Sequence, residues 1–162
     1  MFAFLWKSFL GRLILTFLVS IVPVVELRGA VPLGYREEDG LLGLLLIVSV
    51  AIIGNMLPVP FIILFIKKVF AFIRRHMPKF DGMITRLENK AMSKADTVQK
   101  YAFWGLFIFV AIPFPGTGAW TGALIAAMLD MRLKKAVPSI FLGVVTAGII
   151  LAVLTYLGVE AF

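Results

Sequence analysis

The sequence has no cysteine, one histidine and few charges, and each shortage removes a class of function. Without cysteine there is no disulfide, no thiol nucleophile and no thiolate metal ligand. His76 stands alone in a basic stretch, so it cannot assemble a transition-metal site and reads as a solvated or headgroup-level side chain. No Ser/His/Asp set and no pair of intramembrane carboxylates supports hydrolysis, so a non-enzyme without metal or cofactor is expected. Charged residues are only 15% of the 162 residues, whereas 61% are hydrophobic. An ordinary globular domain is about a quarter charged. With a mean hydropathy of +1.02, the chain is expected to have lipid as its solvent.

What charge there is leans one way, to a net +7. The basic residues flank apolar runs, which fits the positive-inside rule of membrane proteins better than a nucleic-acid surface, and no nucleic-acid partner is expected. Lys7 and Arg12 before the run from Leu13 to Val22 imitate a signal peptide. Pro23-Val24-Val25-Glu26 offers no small-residue cleavage site, so the segment is read as mature.

The apolar runs come in two lengths. Leu13–Val22 is ten residues, about 15 Å as a helix and half of a roughly 30 Å hydrocarbon core. Pro23, Glu26, Arg28, Gly29 and Pro32 then break it, and the charged loop Tyr35–Asp39 follows. Leu41–Ile66 is 26 residues without a charge, long enough to span, with a kink expected from Gly54, Pro58 and Pro60. Residues 67–100 hold nine Lys/Arg and read as a cytoplasmic linker, part of it an amphipathic helix in the headgroup plane, divided by Pro78 and Gly82. Tyr101–Ile112 is again half-length and again ends in a break, Pro113-Phe114-Pro115-Gly116-Thr117-Gly118. Ala119–Leu129 returns to the loop of Asp130, Arg132, Lys134 and Lys135, and Ala136–Val159 is a second uncharged span.

The two halves, 1–66 and 101–162, share this plan, with Pro23 and Pro113 offset by 90 positions. If each break is the tip of a re-entrant hairpin, each half crosses the bilayer once and the second copy is inverted. The expected fold is therefore a single all-α integral membrane domain, an inverted repeat of re-entrant helical hairpin plus transmembrane helix. That topology gathers twelve of the 16 Lys/Arg on one side, whereas four plain spans would leave the 130–135 loop outside against the charge bias. A multi-pass protein of the inner (plasma) membrane is expected, with 67–100 cytoplasmic.

Two constellations carry candidate chemistry. Glu26 and Arg28 lie near mid-membrane, where ionisable groups are expensive and persist mostly where they pair or serve a substrate or ion path. Arg28 offers a planar donor fork to a phosphate or carboxylate, and Glu26 is the candidate to exchange a coupling proton. A plain structural Glu26–Arg28 pair is the competing reading. Gly116 and Gly118 let backbone N–H groups approach a ligand, and a helix starting near Thr117 would aim its positive end at an anion. Trp120 completes that segment, while close packing through Gly118 and Gly122 with Thr117 as cap explains it equally well. Asn55 is either an interhelical hydrogen bond or a cavity-lining contact.

Glu26-Leu-Arg28-Gly29-Ala-Val-Pro32 and Pro113-Phe-Pro115-Gly116-Thr117-Gly118 resemble the two signature segments of the small multidrug export proteins, and the resemblance covers most of the chain. More distantly the arrangement is similar to the DedA superfamily of re-entrant-hairpin proteins, members of which are implicated in moving undecaprenyl phosphate. That resemblance implies a transporter or lipid translocase (flippase). Glu26 and Arg28 match its intramembrane acid and arginine, whereas a second arginine in the later hairpin has no counterpart between Pro113 and Leu129. The leading expectation is ion-coupled movement of an amphipathic anion such as a polyprenyl phosphate among the membrane lipids. Export of drug-like cations, or an assembly role without transport, are the alternatives. A homodimer is expected, with Gly143, Gly148 and Gly158 as candidate contacts.

Overall fold

The computed structural model describes residues 8–93, 103–114 and 116–158. Among the described residues eight α-helices carry the fold: α1 Phe9–Ile21, α2 Glu26–Gly34, α3 Gly40–Met56, α4 Val59–His76, α5 Asp81–Met92, α6 Phe103–Ala111, α7 Ala119–Met128 and α8 Leu133–Tyr156. Short 3-10 turns at Glu37–Asp39 and Pro78–Phe80 lead into α3 and α5. No strand occurs among the described residues.

The first half-length run is a half-length helix: at 13 residues α1 is roughly 20 Å long, too short to cross a hydrocarbon core. Of the second run, Tyr101 and Ala102 lie outside the described residues, and Phe103–Ala111 is helical. Each is followed by a proline break and a second short helix, α2 or α7. Among the described residues two stretches are long and apolar enough to span, Leu133–Tyr156 and the 40-residue Glu37–His76 that contains α3 and α4.

The expected single span Leu41–Ile66 is divided. Pro58 and Pro60 lack the N–H groups a continuous helix needs, so α3 ends at Met56 and α4 restarts at Val59. Helix α4 then runs ten residues past Ile66 into the basic stretch, so that stretch begins as a continuation of the apolar helix. Pro78 does divide it, but Gly82 lies within α5. Arg74 joins the two pieces, its Nε donating to Asp81 Oδ1 (2.8 Å) and its Nη2 to Glu88 Oε2 (2.7 Å). His76 is exposed and stacks on Phe72.

The buried side of α1 identifies the surrounding solvent. Its buried residues are Gly11, Arg12, Thr16 and Ser20, whereas Leu10, Ile14 and Leu18 point outward at 68, 46 and 53% exposure. In water this pattern would be inverted, because burial of apolar area drives folding there. It is stable where the outside is hydrocarbon. Phe61, Leu64, Phe65, Trp104, Ile108, Ile149 and Val153 are exposed in the same way, and the protein is a membrane protein.

The interior is built on small residues that let backbones approach. Ala119, Ala123 and Ala126 bring α7 into the core, and α8 lies against α6 through Gly143, where a Cβ would meet Val110 and the Phe107 carbonyl. Gly148 faces Val48 and Ile52 of α3. Gly143 and Gly148 are thus consumed by packing within the chain and are not free to form the intersubunit contact expected of them. Gly158 sits at φ +69° with open space around it. Lys67 Nζ lies 2.8 Å from Asp130 Oδ1, so the start of the basic stretch and the loop after α7 share one end of the molecule. Arg12 pairs with Asp39 at the base of α1 and α2.

Candidate functional site

The breaks after α1 and α6 meet, and the residues at the meeting point are those that carry charge. Glu26 opens α2 in the left-handed region at φ 48°, preceded by Val24 at φ 78°. For a β-branched residue such a backbone is a true outlier and costs of order 1–3 kcal/mol, which the surroundings must hold in place. Held there, Glu26 is 5% exposed and its Oε1 accepts the backbone N–H of Trp120 at 3.0 Å. It thereby caps the N-terminus of α7, where orphan amides and the helix dipole favour negative charge. Gly118 is required for this. A Cβ there would fall inside the Glu26 carboxylate.

The helix end read from the sequence as open to a substrate anion is therefore occupied by Glu26. Helix α7 begins at Ala119, two residues after Thr117 and so close to where the sequence places it, and its N-cap Gly118 supplies no side-chain cap. Glu26 and Arg28, whose plain structural pairing is the competing reading, hydrogen-bond to different partners while lining the same cavity.

Arg28 reaches the opposite break instead. Its Nη2 donates to Thr117 Oγ1 at 2.9 Å and to the Ile112 carbonyl at 3.4 Å. The Thr117 hydroxyl donates to the Ile112 or Phe114 carbonyl, at 2.7 and 2.8 Å, so it steadies the turn and presents an acceptor to Arg28. Trp120 adds a further clasp, its Nε1 donating to the Ile21 carbonyl at 3.0 Å. Both breaks are tied together by hydrogen bonds that each spans 84 or more residues of sequence.

Beside this junction lies a cavity of about 420 Å³, within the range of small-molecule sites. Arg28, Glu26, Gly116, Gly118 and Trp120 form one wall, and Ile66, Phe70, Leu87 and Leu124 supply apolar surface. Lys90 of α5 contributes a second cation at the rim. Of the residues singled out in sequence, Thr117 stands behind Arg28, outside the cavity lining. Asn55 lies on another, much smaller space of about 10 Å³, shared with Glu26, Gly118 and Val144. Asn55 is 2% exposed, and its Oδ1 has no hydrogen-bond partner among the described residues. Lys90, Phe70 and Leu87 were not legible in sequence as site residues, because only the fold of α5 over α4 and α7 brings them there. No cluster of three or more His, Cys, Asp or Glu that could hold a metal occurs among the described residues.

Broken helices meeting around a mostly apolar cavity, with one guanidinium and one carboxylate inside a lipid-facing helical shell, define the class as an all-α membrane protein built like a transporter. Residues 26–150 match the family described as "Putative small multi-drug export protein", and the chain belongs to that family. No curated protein and no solved structure shows significant similarity to it.

Proposed function

We propose that the chain is a non-enzymatic, ion-coupled exporter or translocase of amphipathic anions. The observation that carries this reading is the state of Glu26. Among the described residues, the one carboxylate on the cavity wall already accepts the α7 N-terminus, so Arg28, with donors beyond Nη2, is the handle left for a ligand. Its planar fork suits a phosphate or carboxylate, and Lys90 adds charge of the same sign at the rim. The walls from Ile66, Phe70, Leu87 and Leu124 would take the first part of an apolar tail, and longer tails would continue into lipid. A polyprenyl phosphate has this chemistry.

Protonation of Glu26 would weaken its hold on the Trp120 amide and loosen the junction, which couples proton uptake to opening. The inverted re-entrant topology is part of the reading. Its supports are the two proline-broken pairs of short helices, the contact of their tips, and the Lys67–Asp130 ion pair, which brings the start of the basic stretch to the loop after α7, at the end proposed as cytoplasmic and facing inward from the inner membrane.

The test is binding of dodecyl phosphate against dodecyltrimethylammonium by purified protein in nanodiscs. The phosphate should bind and the cation should not. Arg28→Lys keeps charge but loses the fork, so affinity should fall by the 1.5 to 3 kcal/mol typical of a charged hydrogen bond, roughly 10- to 150-fold. The family's description favours a second reading, export of drug-like cations with Glu26 as counter-ion. Cation binding that depends on Glu26 and ignores Arg28 would establish it instead. Binding of neither amphiphile, in folded protein, would leave the assembly role.

A further inference from the structure

Helix α1 buries a polar stripe that the site above does not use. Arg12, Thr16 and Ser20 fall at intervals of four, on one face, and are 3, 2 and 0% exposed. The stripe starts at the Arg12–Asp39 ion pair, which Glu38 Oε1 approaches at 3.9 Å from Arg12 Nη1. It ends near the junction, where Ser20 lies against Gly54, the neighbour of Asn55. Three buried atoms along this line find no partner among the described residues: Arg12 Nε, Thr16 Oγ1 and Asn55 Oδ1.

Each of these atoms belongs to a residue that borders a small cavity. One of about 40 Å³, room for a few water molecules, is lined by Arg12, Thr16, Ala30 and Gly34. The space shared by Asn55 and Glu26, about 10 Å³, is near the lower limit for one. In hydrocarbon a buried polar atom must find a partner inside the protein, and ordered water is the partner that such a space admits. Two glycines keep the stripe open. A Cβ on Gly34 would strike the Thr16 hydroxyl, and one on Gly54 the Ser20 hydroxyl.

We propose that these side chains line a water-filled thread, running from the Arg12–Asp39 pair past Thr16, Ser20 and Asn55, that delivers protons to Glu26. The thread reaches Glu26 beside Asn55 of α3, through a small space that shares Glu26, Arg28 and Gly118 with the 420 Å³ cavity, so the proton and substrate routes meet at Glu26. Thr16 Oγ1 has no partner among the described residues and is free both to donate to such waters and to accept from them, whereas Ser20 Oγ donates to the Phe17 carbonyl at 2.8 Å and offers the waters an acceptor, so a proton passes by exchange along the waters and ends on the Glu26 carboxylate. Arg12 and Asp39 neutralise one another at the entrance. Around Glu26 the charged groups are Arg28 on its own helix and Lys90 across the cavity, while α7 presents backbone N–H groups. The role given to the thread rests on Glu26 as the coupling carboxylate; its hydration does not.

The experiment therefore reads hydration directly. The chain has no cysteine, so Thr16→Cys, Ser20→Cys and Ile140→Cys each introduce one thiol, the last in the apolar core. Each protein in nanodiscs is exposed to aqueous Ag⁺, and the thiol remaining is counted with a maleimide after denaturation. Cysteines at 16 and 20 should react, and the one at 140 should not. Adding Thr16→Val to Ser20→Cys should slow the reaction about tenfold, the effect of removing one hydrogen bond from the route. Reaction at 20 no faster than at 140, or unaffected by Thr16→Val, would overturn the thread even if Glu26 proves essential for coupling. A hydrated thread in a protein whose phosphate binding ignores pH and Glu26→Gln would instead overturn the coupling role.

Discussion

At the scale of residues, the junction depends on positions where no substitute fits. Gly118→Ala would push a methyl group into the Glu26 carboxylate. It should destabilise the fold by about 1–3 kcal/mol, the cost of leaving a buried acceptor without its donor, seen as a lower unfolding temperature in nanodiscs. Val24→Gly should act in the opposite sense, since glycine takes φ 78° without penalty, and a gain of about 1 kcal/mol is expected in the same measurement. Glu26→Gln keeps an acceptor for the Trp120 amide but not a titrating one, so dodecyl phosphate affinity should lose its pH dependence while the protein stays folded. The sequence made Glu26 and Arg28 conspicuous as charges within an apolar chain. It did not reveal their partners, because Thr117 and Trp120 are 89 and 94 residues away in the chain. Arg12 was read only as a flanking charge. Its burial follows from Asp39 closing over it, which depends on the turn after α2.

At the scale of elements, run length was the most informative signal. Ten- and twelve-residue apolar runs that stop at proline became short paired helices, because proline fixes the break whatever surrounds it. The division of α3 from α4 was less legible. Pro58 and Pro60 could mark a kink or a restart, and what α4 does beyond Ile66 depends on its docking against α7. Helix α5 was expected as an amphipathic piece lying on lipid. It instead turns Leu87, Lys90 and Ala91 to the cavity, held by Arg74 through Asp81 and Glu88. Exposed pairs of this kind contribute little to global stability. Arg74→Ala should therefore leave the unfolding temperature almost unchanged and raise hydrogen–deuterium exchange across 78–92, with dodecyl phosphate released faster.

At the scale of the molecule, sidedness follows from the inverted arrangement proposed above. Single cysteines at Glu37, Ser93 and Lys134 should be labelled by an impermeant maleimide so that 93 and 134 share a side and 37 reports the other; a shared side for 37 and 134 would remove the inversion. A dimer, if formed in nanodiscs as a mass of two chains, must use surfaces other than Gly143 and Gly148. The short length of α1 has a further, electrical consequence. A proton travelling from Asp39 to a junction near mid-depth crosses only part of the membrane field. One elementary charge over the full thickness gains about 2.3 kcal/mol per 100 mV, so a half crossing is worth roughly 1 kcal/mol, several-fold in the proton occupancy of Glu26. A potassium diffusion potential imposed with valinomycin across proteoliposomes should shift the pH at which dodecyl phosphate binding changes by nearly one unit per 100 mV, and Glu26→Gln should abolish that response. The junction would then read voltage and acidity as one quantity, the proton-motive force.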